Sequence, residues 1–190
     1  NNRSLIVEDL DLKSKKIDIL GLYDPSDNDL SLDMWNNSDG KEIKNLIQKI
    51  SKMELSEDAI DILNISLLTN SYFPQKDISP KEFSEIKSNW LIKLNDLELI
   101  KKYIKKNDNL EDNTTLVEYY LDEYLSQANV TKACEIFDEL KTLRDSYISK
   151  FKVYCLISQK KNEQAQLLLD LLKEDGFKDK FFEKKFNYLL

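Results

Sequence analysis

The sequence contains no histidine, and only three glycines, three prolines and two cysteines among 190 residues. Without histidine, Ser-His-Asp and Cys-His nucleophilic sites, His-ligated zinc and imidazole general bases are excluded. Three glycines cannot supply the glycine-rich loops that hold phosphate groups. So few turn residues also argue against an all-β fold, which needs a turn about every 8–12 residues. We therefore expect a protein that is not an enzyme and that has no cofactor, no metal ion and no catalytic residues.

The chain is acidic, with a formal net charge of −7. A nucleic-acid-binding domain usually carries a basic surface, so we expect no nucleic-acid partner. Residues 1–40 hold nine acids and four bases, whereas residues 41–190 hold 26 acids and 24 bases, as the solvated surface of helices would. No apolar run approaches the roughly 18 residues of a transmembrane helix, so no membrane insertion is expected.

Residues 1–40 lack helical periodicity and contain the turn-rich stretch Asp24–Asp29. That stretch alternates oxygen-bearing side chains, but it lacks the glycine and glutamate of a calcium loop, so it predicts a turn. A disordered segment would rarely contain so many large apolar residues. We expect an extended acidic arm that packs on the body through Leu20, Leu22, Tyr23, Leu32, Met34 and Trp35.

From residue 41 the apolar residues recur at helical spacing. Ser79 and Pro80 have the types preferred at the N-cap and the first position of a helix. The pattern predicts a helical domain over 41–190, with helix pairs at about 41–70, 80–108, 114–142 and 147–174 and the start of a further repeat at 178–190.

Three short joints separate the helices of the last three pairs, at 94–97, 127–130 and 159–162. Ile100, Ala133 and Ala165 follow these joints at intervals of 33 and 32 residues. A period near 33 with two helices in each unit is typical of a helical solenoid. We therefore predict an all-α fold, a right-handed α-solenoid of helix-turn-helix repeats preceded by the arm.

The third pair resembles a tetratricopeptide repeat, in which a small residue opens the second helix and aromatic residues stand at two fixed positions. Ala133, Phe137 and Tyr124 fit these places, whereas the next pair keeps only Ala165 and has leucines for the aromatics. The closing proline of the family is also missing. The resemblance therefore implies degenerate repeats of that architecture.

A second resemblance rests on Ile-Leu-Gly-Leu-Tyr-Asp-Pro at 19–25, followed by Leu-Asp-Met-Trp at 32–35 and Ser-Asp at 38–39. These residues are similar to the opening of a poorly characterised group of long alphaproteobacterial helical-repeat proteins that usually carry an export signal. The resemblance implies an exported, periplasmic protein, and a cytoplasmic location is the alternative. Because the last helix has no polar cap, we also expect the natural chain to continue past Leu190.

The pattern favours a non-enzymatic scaffold that binds a peptide or protein partner on its helical surface. Adjacent Tyr119 and Tyr120 cannot both be buried on one face of a helix. We expect partner-binding residues at Glu118, Tyr119, Asp122 and Lys152. The alternative is a structural or assembly module of a larger chain or oligomer, with no discrete groove. A carboxylate-based hydrolase is a third interpretation, which would need two buried acids.

Cys134 and Cys155 lie 21 residues apart, on helices that stacked pairs would place side by side. They are a candidate disulfide if their Cα atoms come within about 7 Å, and buried free thiols are the alternative. Lys101, Lys102, Lys105 and Lys106 form a basic stretch, which is either a solvated face or a docking patch for an acidic partner or the acidic arm. The sequence does not reveal the partner or the oligomeric state.

Overall fold

A computed structural model describes residues 19–107, 114–140 and 145–189. The predicted all-α class is confirmed, because these ranges form nine α-helices and no β-strand, and 68% of the described residues are helical. No helix in these ranges is both long enough and apolar enough to cross a membrane. The first 18 residues of the predicted arm lie outside the described residues.

The helices are numbered in chain order. They are α1 Gly40–Ile50, α2 Glu57–Leu68, α3 Pro80–Leu94, α4 Leu97–Lys106, α5 Thr114–Ser126, α6 Val130–Cys134, α7 Ser146–Ser158, α8 Asn162–Glu174 and α9 Lys180–Leu189. Two short 3₁₀ helices, Pro25–Asn28 and Glu135–Asp138, also occur.

Side-chain caps fix the starts of several helices. Before α3, the Ser79 hydroxyl accepts a hydrogen bond from the Glu82 N–H (3.2 Å), and the Glu82 carboxylate accepts one from the Ser79 N–H (3.0 Å). This capping box satisfies two backbone donors that the first turn would otherwise leave unpaired. The structure also places Pro80 in the first turn, as the sequence predicts.

The joints of the last three pairs each contain one residue with a left-handed backbone. Asn95, Ala128 and Lys160 have a positive φ, between 53° and 60°. Asn95 directly follows α3, whereas Ala128 and Lys160 lie two residues after the ends of α5 and α7. A left-handed residue at this position reverses the chain after a helix. In the joints after α5 and α7, the residue that follows the left-handed one donates its N–H to the carbonyl five residues earlier. These bonds run from Asn129 to Tyr124 and from Lys161 to Leu156.

The helices pack in an alternating pattern. Helices α3, α5 and α7 each pack on the helix that follows, and α4 and α6 then pack on α5 and α7. In addition, α1 contacts α3, α3 contacts α5, α5 contacts α7, and α7 contacts α9. The odd-numbered helices therefore form one row of neighbours.

The buried core follows the apolar stripes of these helices. The main cluster runs from Ile43 of α1 to Ile148 of α7 and includes Trp90, Tyr103 and Tyr120. A second, smaller cluster lies among α7, α8 and α9 and contains Val153, Ala165, Leu169 and Phe186.

The second helix of the third pair differs from the predicted continuous helix. Helix α6 ends at Cys134, and the chain continues as a 3₁₀ helix to Asp138. Ala133 and Ile136 are nevertheless fully buried, so the apolar stripe still faces the core.

Residues 19–39, which we call the N-terminal segment, lie on the body. Leu20 pairs with Ser71, Tyr23 with Thr69 and Asp39 with Lys76 through isolated bridges. Residues 25–37 are folded into a 3₁₀ helix and turns, so the segment is not extended throughout. The Trp35 ring meets the Phe83 ring edge to face, with 5.9 Å between centroids.

Candidate functional site

Three of the four residues expected to bind a partner lie together on α5, at Glu118, Tyr119 and Asp122. The Tyr119 hydroxyl donates to the Asn95 side chain at the end of α3, over 2.8 Å. Asp122 accepts a hydrogen bond of 2.8 Å from the Tyr147 hydroxyl of α7. Helix α5 is thus hydrogen-bonded to its neighbour on each side of the row. We call Asn95, Glu118, Tyr119, Asp122 and Tyr147 the α5 surface.

The periodicity of α5 separates its two adjacent tyrosines. Tyr120 is fully buried and meets Tyr124 edge to face, with ring centroids 4.9 Å apart. Tyr119 lies one position earlier, about 100° around the helix, and stays partly exposed. As the sequence rule requires, only one of the two adjacent tyrosines is buried, and Tyr119 is the one that stays partly exposed.

The α5 surface is acidic. Partial burial, with the negative charges of Asp145 and Asp122, raises the pKa of Glu118. Burial, with the hydrogen bond to Asp122, raises the pKa of Tyr147 to about 12. Both shifts arise because burial and nearby carboxylates disfavour a further negative charge. A cationic group placed here would reduce this repulsion.

Lys152, the fourth expected residue, is half-buried on α7. Within the ranges that the structure describes, it forms no hydrogen bond or ion pair with the α5 surface. The structure therefore groups Glu118, Tyr119 and Asp122 without giving Lys152 a role beside them.

The basic stretch of α4 is largely engaged within the chain. Lys101 forms an ion pair with Glu135 (2.6 Å), and Lys105 forms one with Glu139 (3.0 Å). Each ion pair joins residues 34 positions apart. Two equivalent ion pairs therefore link α4 to the second half of the next helix pair. These contacts leave less free positive charge than the sequence alone implies.

Cys134 and Cys155 are joined by a disulfide in the structure, with Cα atoms 5.6 Å apart. Both residues are buried. The bond connects the end of α6 to α7, so it links consecutive elements of the third and fourth helix pairs.

Sequence reasoning missed two buried polar side chains, Lys87 and Asn107, that hold the N-terminal segment. The Lys87 ammonium donates to the Leu20 carbonyl (2.6 Å), and Asn107 hydrogen-bonds both backbone groups of Gly21. A signal for Lys87 exists, because it lies four residues after Phe83 and three before Trp90 on the apolar stripe of α3.

A groove of about 590 Å³ lies between α1 and α3. Three of its charged residues are already engaged: Lys44 pairs with Glu82 (2.8 Å), and Lys93 donates to the carbonyls of Ser51 and Met53 in the loop after α1. Among the described residues, no group of three metal-ligating side chains is close enough together to hold an ion.

No match was found when the chain was compared with protein-family models, with curated proteins and with solved structures. The contacts described above are therefore the basis for assigning a function.

Proposed function

We propose that this chain is a non-enzymatic protein–protein interaction scaffold, in which the row of odd-numbered helices binds a peptide or protein partner. We also propose that the helix pairs stack as a right-handed α-solenoid of degenerate, tetratricopeptide-like repeats. The observation that carries this proposal is the recurrence of a left-handed residue in the joint of each pair, at Asn95, Ala128 and Lys160, with contacts between successive odd-numbered helices. Stacked repeats of this kind present an extended surface that suits a linear partner.

The chemistry of the α5 surface favours a basic partner. Its carboxylates, Glu118 and Asp122, lie beside Tyr119 and Tyr147 at the seams between helices. Tyrosine is common among the residues that dominate binding energy at protein interfaces, and complementary charge gives orientation and specificity. A lysine- or arginine-bearing segment would satisfy both features.

An array of short synthetic peptides tests this proposal, with lysine or arginine fixed at the centre in one set and aspartate or glutamate in the other. The labelled full chain should bind the basic set and not the acidic set. The double variant Glu118→Gln and Asp122→Asn should reduce binding at least about tenfold, because it removes both carboxylates. Binding of neither set, or of both equally, would contradict the proposal.

A matched control removes the same charge from another surface. The control is the double variant Glu163→Gln and Asp170→Asn. Both residues lie on α8, at a shallow groove lined also by Asn162 and Leu167. This variant has the same net charge as the α5 double variant but keeps the α5 surface. It should bind the basic set as the unaltered chain does. An equal loss in both variants would mean that overall charge, and not the α5 surface, causes the binding.

The alternative is a structural or assembly module, favoured by apolar side chains at the C-terminal end. Leu167 and Leu171 of α8 are exposed, as are Phe181, Tyr188 and Leu189 of α9. Clustered exposed apolar residues often mark a surface that another chain covers. Sedimentation velocity over a wide concentration range distinguishes the two: assembly that Phe181→Glu abolishes favours the module, and a monomer throughout favours the scaffold.

The disulfide supports an exported, periplasmic location, in line with the resemblance to exported helical-repeat proteins. Disulfides form and persist in oxidising compartments and are rare in the cytosol. Cys134 and Cys155 are bonded in the structure. If protein isolated from its natural source under alkylating conditions carried two free thiols, the cytoplasmic alternative would be favoured.

A further inference from the structure

The stretch Leu20–Tyr23 lies in a groove whose walls come from three parts of the body. The main chain of 68–71 forms one side: Ser71 exchanges two backbone hydrogen bonds with Leu20 (3.2 and 3.3 Å), and the Asn70 N–H donates to the Tyr23 carbonyl (2.9 Å). Lys87 of α3 and residues 106–107 at the end of α4 form the rest. We call these walls the docking groove.

Side chains of the docking groove bind three consecutive backbone carbonyls. The Leu20 carbonyl accepts from the Lys87 ammonium (2.6 Å), and the Leu22 carbonyl accepts from Lys106 (2.7 Å). Between them, the Gly21 carbonyl accepts from the Asn107 amide (3.0 Å). All three contacts go to main-chain atoms, which every peptide segment carries.

The Asn107 side chain binds both backbone groups of Gly21, its N–H and its carbonyl. Its side-chain oxygen accepts from the Gly21 N–H (3.1 Å), while its amide nitrogen donates to the Gly21 carbonyl and to the Tyr103 carbonyl (2.8 Å). Asn107 is buried, so these bonds are shielded from competing water. A side chain that both donates to and accepts from one residue's backbone fixes an extended segment in register.

Only a glycine fits at the centre of this contact. A Cβ atom on Gly21 would overlap the backbone of Thr69 and Asn70, which cannot move away as a flexible side chain can. Leu20, on one side of the glycine, is buried. The docking groove therefore selects an extended segment with glycine next to apolar residues. Its other contacts with the segment are hydrogen bonds to main-chain atoms.

We propose that the docking groove is a peptide-binding site that the chain's own Leu20–Tyr23 occupies in cis, and that the same stretch of a second copy occupies in trans. Exchange of an identical segment reproduces every contact described above, so it has little cost in interface energy. Because the chain's own segment docks intramolecularly, the cis arrangement is favoured in dilute solution. This site is separate from the α5 surface, and the two proposals fail independently.

A complementation experiment tests the proposal with two full-length variants. Gly21→Val prevents the segment from docking but leaves the groove intact. Asn107→Leu weakens the groove but leaves the segment intact. Each variant alone should sediment as a monomer, whereas an equimolar mixture should form a 1:1 heterodimer by native mass spectrometry. In that heterodimer the segment of the Asn107→Leu chain fills the groove of the Gly21→Val chain. A mixture of monomers would overturn the proposal.

A peptide experiment keeps the proposal falsifiable if chain exchange is slow. A fluorescent peptide covering residues 19–25 is titrated into the Gly21→Val chain and followed by anisotropy, beside a matched peptide with valine in place of glycine. The glycine peptide should bind at least about tenfold more tightly, because the valine peptide meets the same overlap. Equal binding, or no binding of either, would overturn the proposal.

Far-UV circular dichroism establishes that each variant keeps its helices. If Gly21→Val reduces the helical signal, Gly21→Ala takes its place, since it also adds the Cβ that overlaps the backbone. The same two outcomes then decide the proposal.

Discussion

The ammonium nitrogen of Lys87 lies 2.6 Å from the carbonyl oxygen of Leu20, inside the protein. It also donates to the Ser71 hydroxyl (3.3 Å) and lies 5.0 Å from the centre of the Phe83 ring. Among the described residues, no carboxylate is within ion-pairing distance of it. No nearby negative charge offsets the cost of burying the ammonium, so burial lowers the pKa of Lys87 from 10.5 to about 7.

The first prediction concerns stability and pH. Between about pH 7 and pH 10, the unfolded chain keeps the proton on Lys87 while the folded chain releases it, so stability rises with pH by up to about 1.4 kcal/mol per unit. The contribution of Lys87 should make the chain about 2 kcal/mol more stable at about pH 9 than at about pH 7. Urea unfolding at the two pH values measures this difference.

Lys87→Met should remove this part of the pH dependence, because methionine fills a similar volume without a titrating group. Lys52→Met, at an exposed position of the loop after α1, is the control and should keep it. The same difference between the two pH values in all three chains would contradict the assignment to Lys87.

The second prediction concerns the glycine at the docking groove. Gly21→Ala should lower the free energy of unfolding by about 2 kcal/mol or more, because the new Cβ overlaps the backbone of Thr69 and Asn70. Gly176→Ala is the comparison: it has open space around the Cβ but a φ of +94°, so only backbone strain of about 1 kcal/mol is expected. Chemical denaturation measures both, and a larger loss at Gly176 would be the opposite result.

The helix starts and the joints between helices could be predicted from the sequence. Ser79 and Pro80 start α3, and the joints at 94–97, 127–130 and 159–162 fall where the chain turns. These features depend on neighbouring residues alone: a cap, a fixed proline φ, and the spacing of apolar side chains. The same information predicts the apolar stripes, such as Ile100 and Tyr103 of α4, which are buried.

The contacts of Asn107 could not be predicted from the sequence. Its partner, Gly21, lies 86 positions away, and an asparagine after a helix is ordinary as a cap. The buried role of Lys87 depends in the same way on Leu20, 67 positions away. At the candidate site, the sequence predicted that one of Tyr119 and Tyr120 stays exposed, but the bonds to Asn95 and from Tyr147 depend on how helices pack.

The third prediction compares two ion pairs. Lys101 and Glu135 are both largely shielded from solvent, whereas the Lys105 side chain of the second pair is 65% exposed. Double-mutant cycles with Lys→Met and Glu→Gln should give a coupling of about 1 kcal/mol for Lys101–Glu135 and under about 0.5 kcal/mol for Lys105–Glu139. Equal couplings would show that shielding does not set their strength.

Acid titration gives an independent check on the first of these pairs. Hydrogen bonds from Lys101 and then Lys132 lower the pKa of Glu135 below its usual 4.5. The stabilisation is therefore present above about pH 4.5 and is lost as the pH falls through the lowered pKa. Glu135→Gln should lose less stability than the unaltered chain over that acid range. Parallel losses would contradict the pairing.

The fourth prediction concerns the disulfide. Closing a loop of 21 residues between Cys134 and Cys155 should stabilise the chain by about 3 kcal/mol through restriction of the unfolded state. The double variant Cys134→Ala and Cys155→Ala should melt at a lower temperature, and a reducing agent should lower the melting temperature only of the unaltered chain. Mass spectrometry after alkylation without reduction should show no modified thiol, and two modified thiols would rule the bond out.

The proposed function depends most on the regular stacking of helix pairs. A crystal structure tests it directly, by superposing α3–α4 on α5–α6 and then α5–α6 on α7–α8. We predict that one rotation and one translation along the row describe both steps. If the two steps differed in direction or sense of rotation, the pairs would form a closed globule without a repeat, and the scaffold proposal would be wrong.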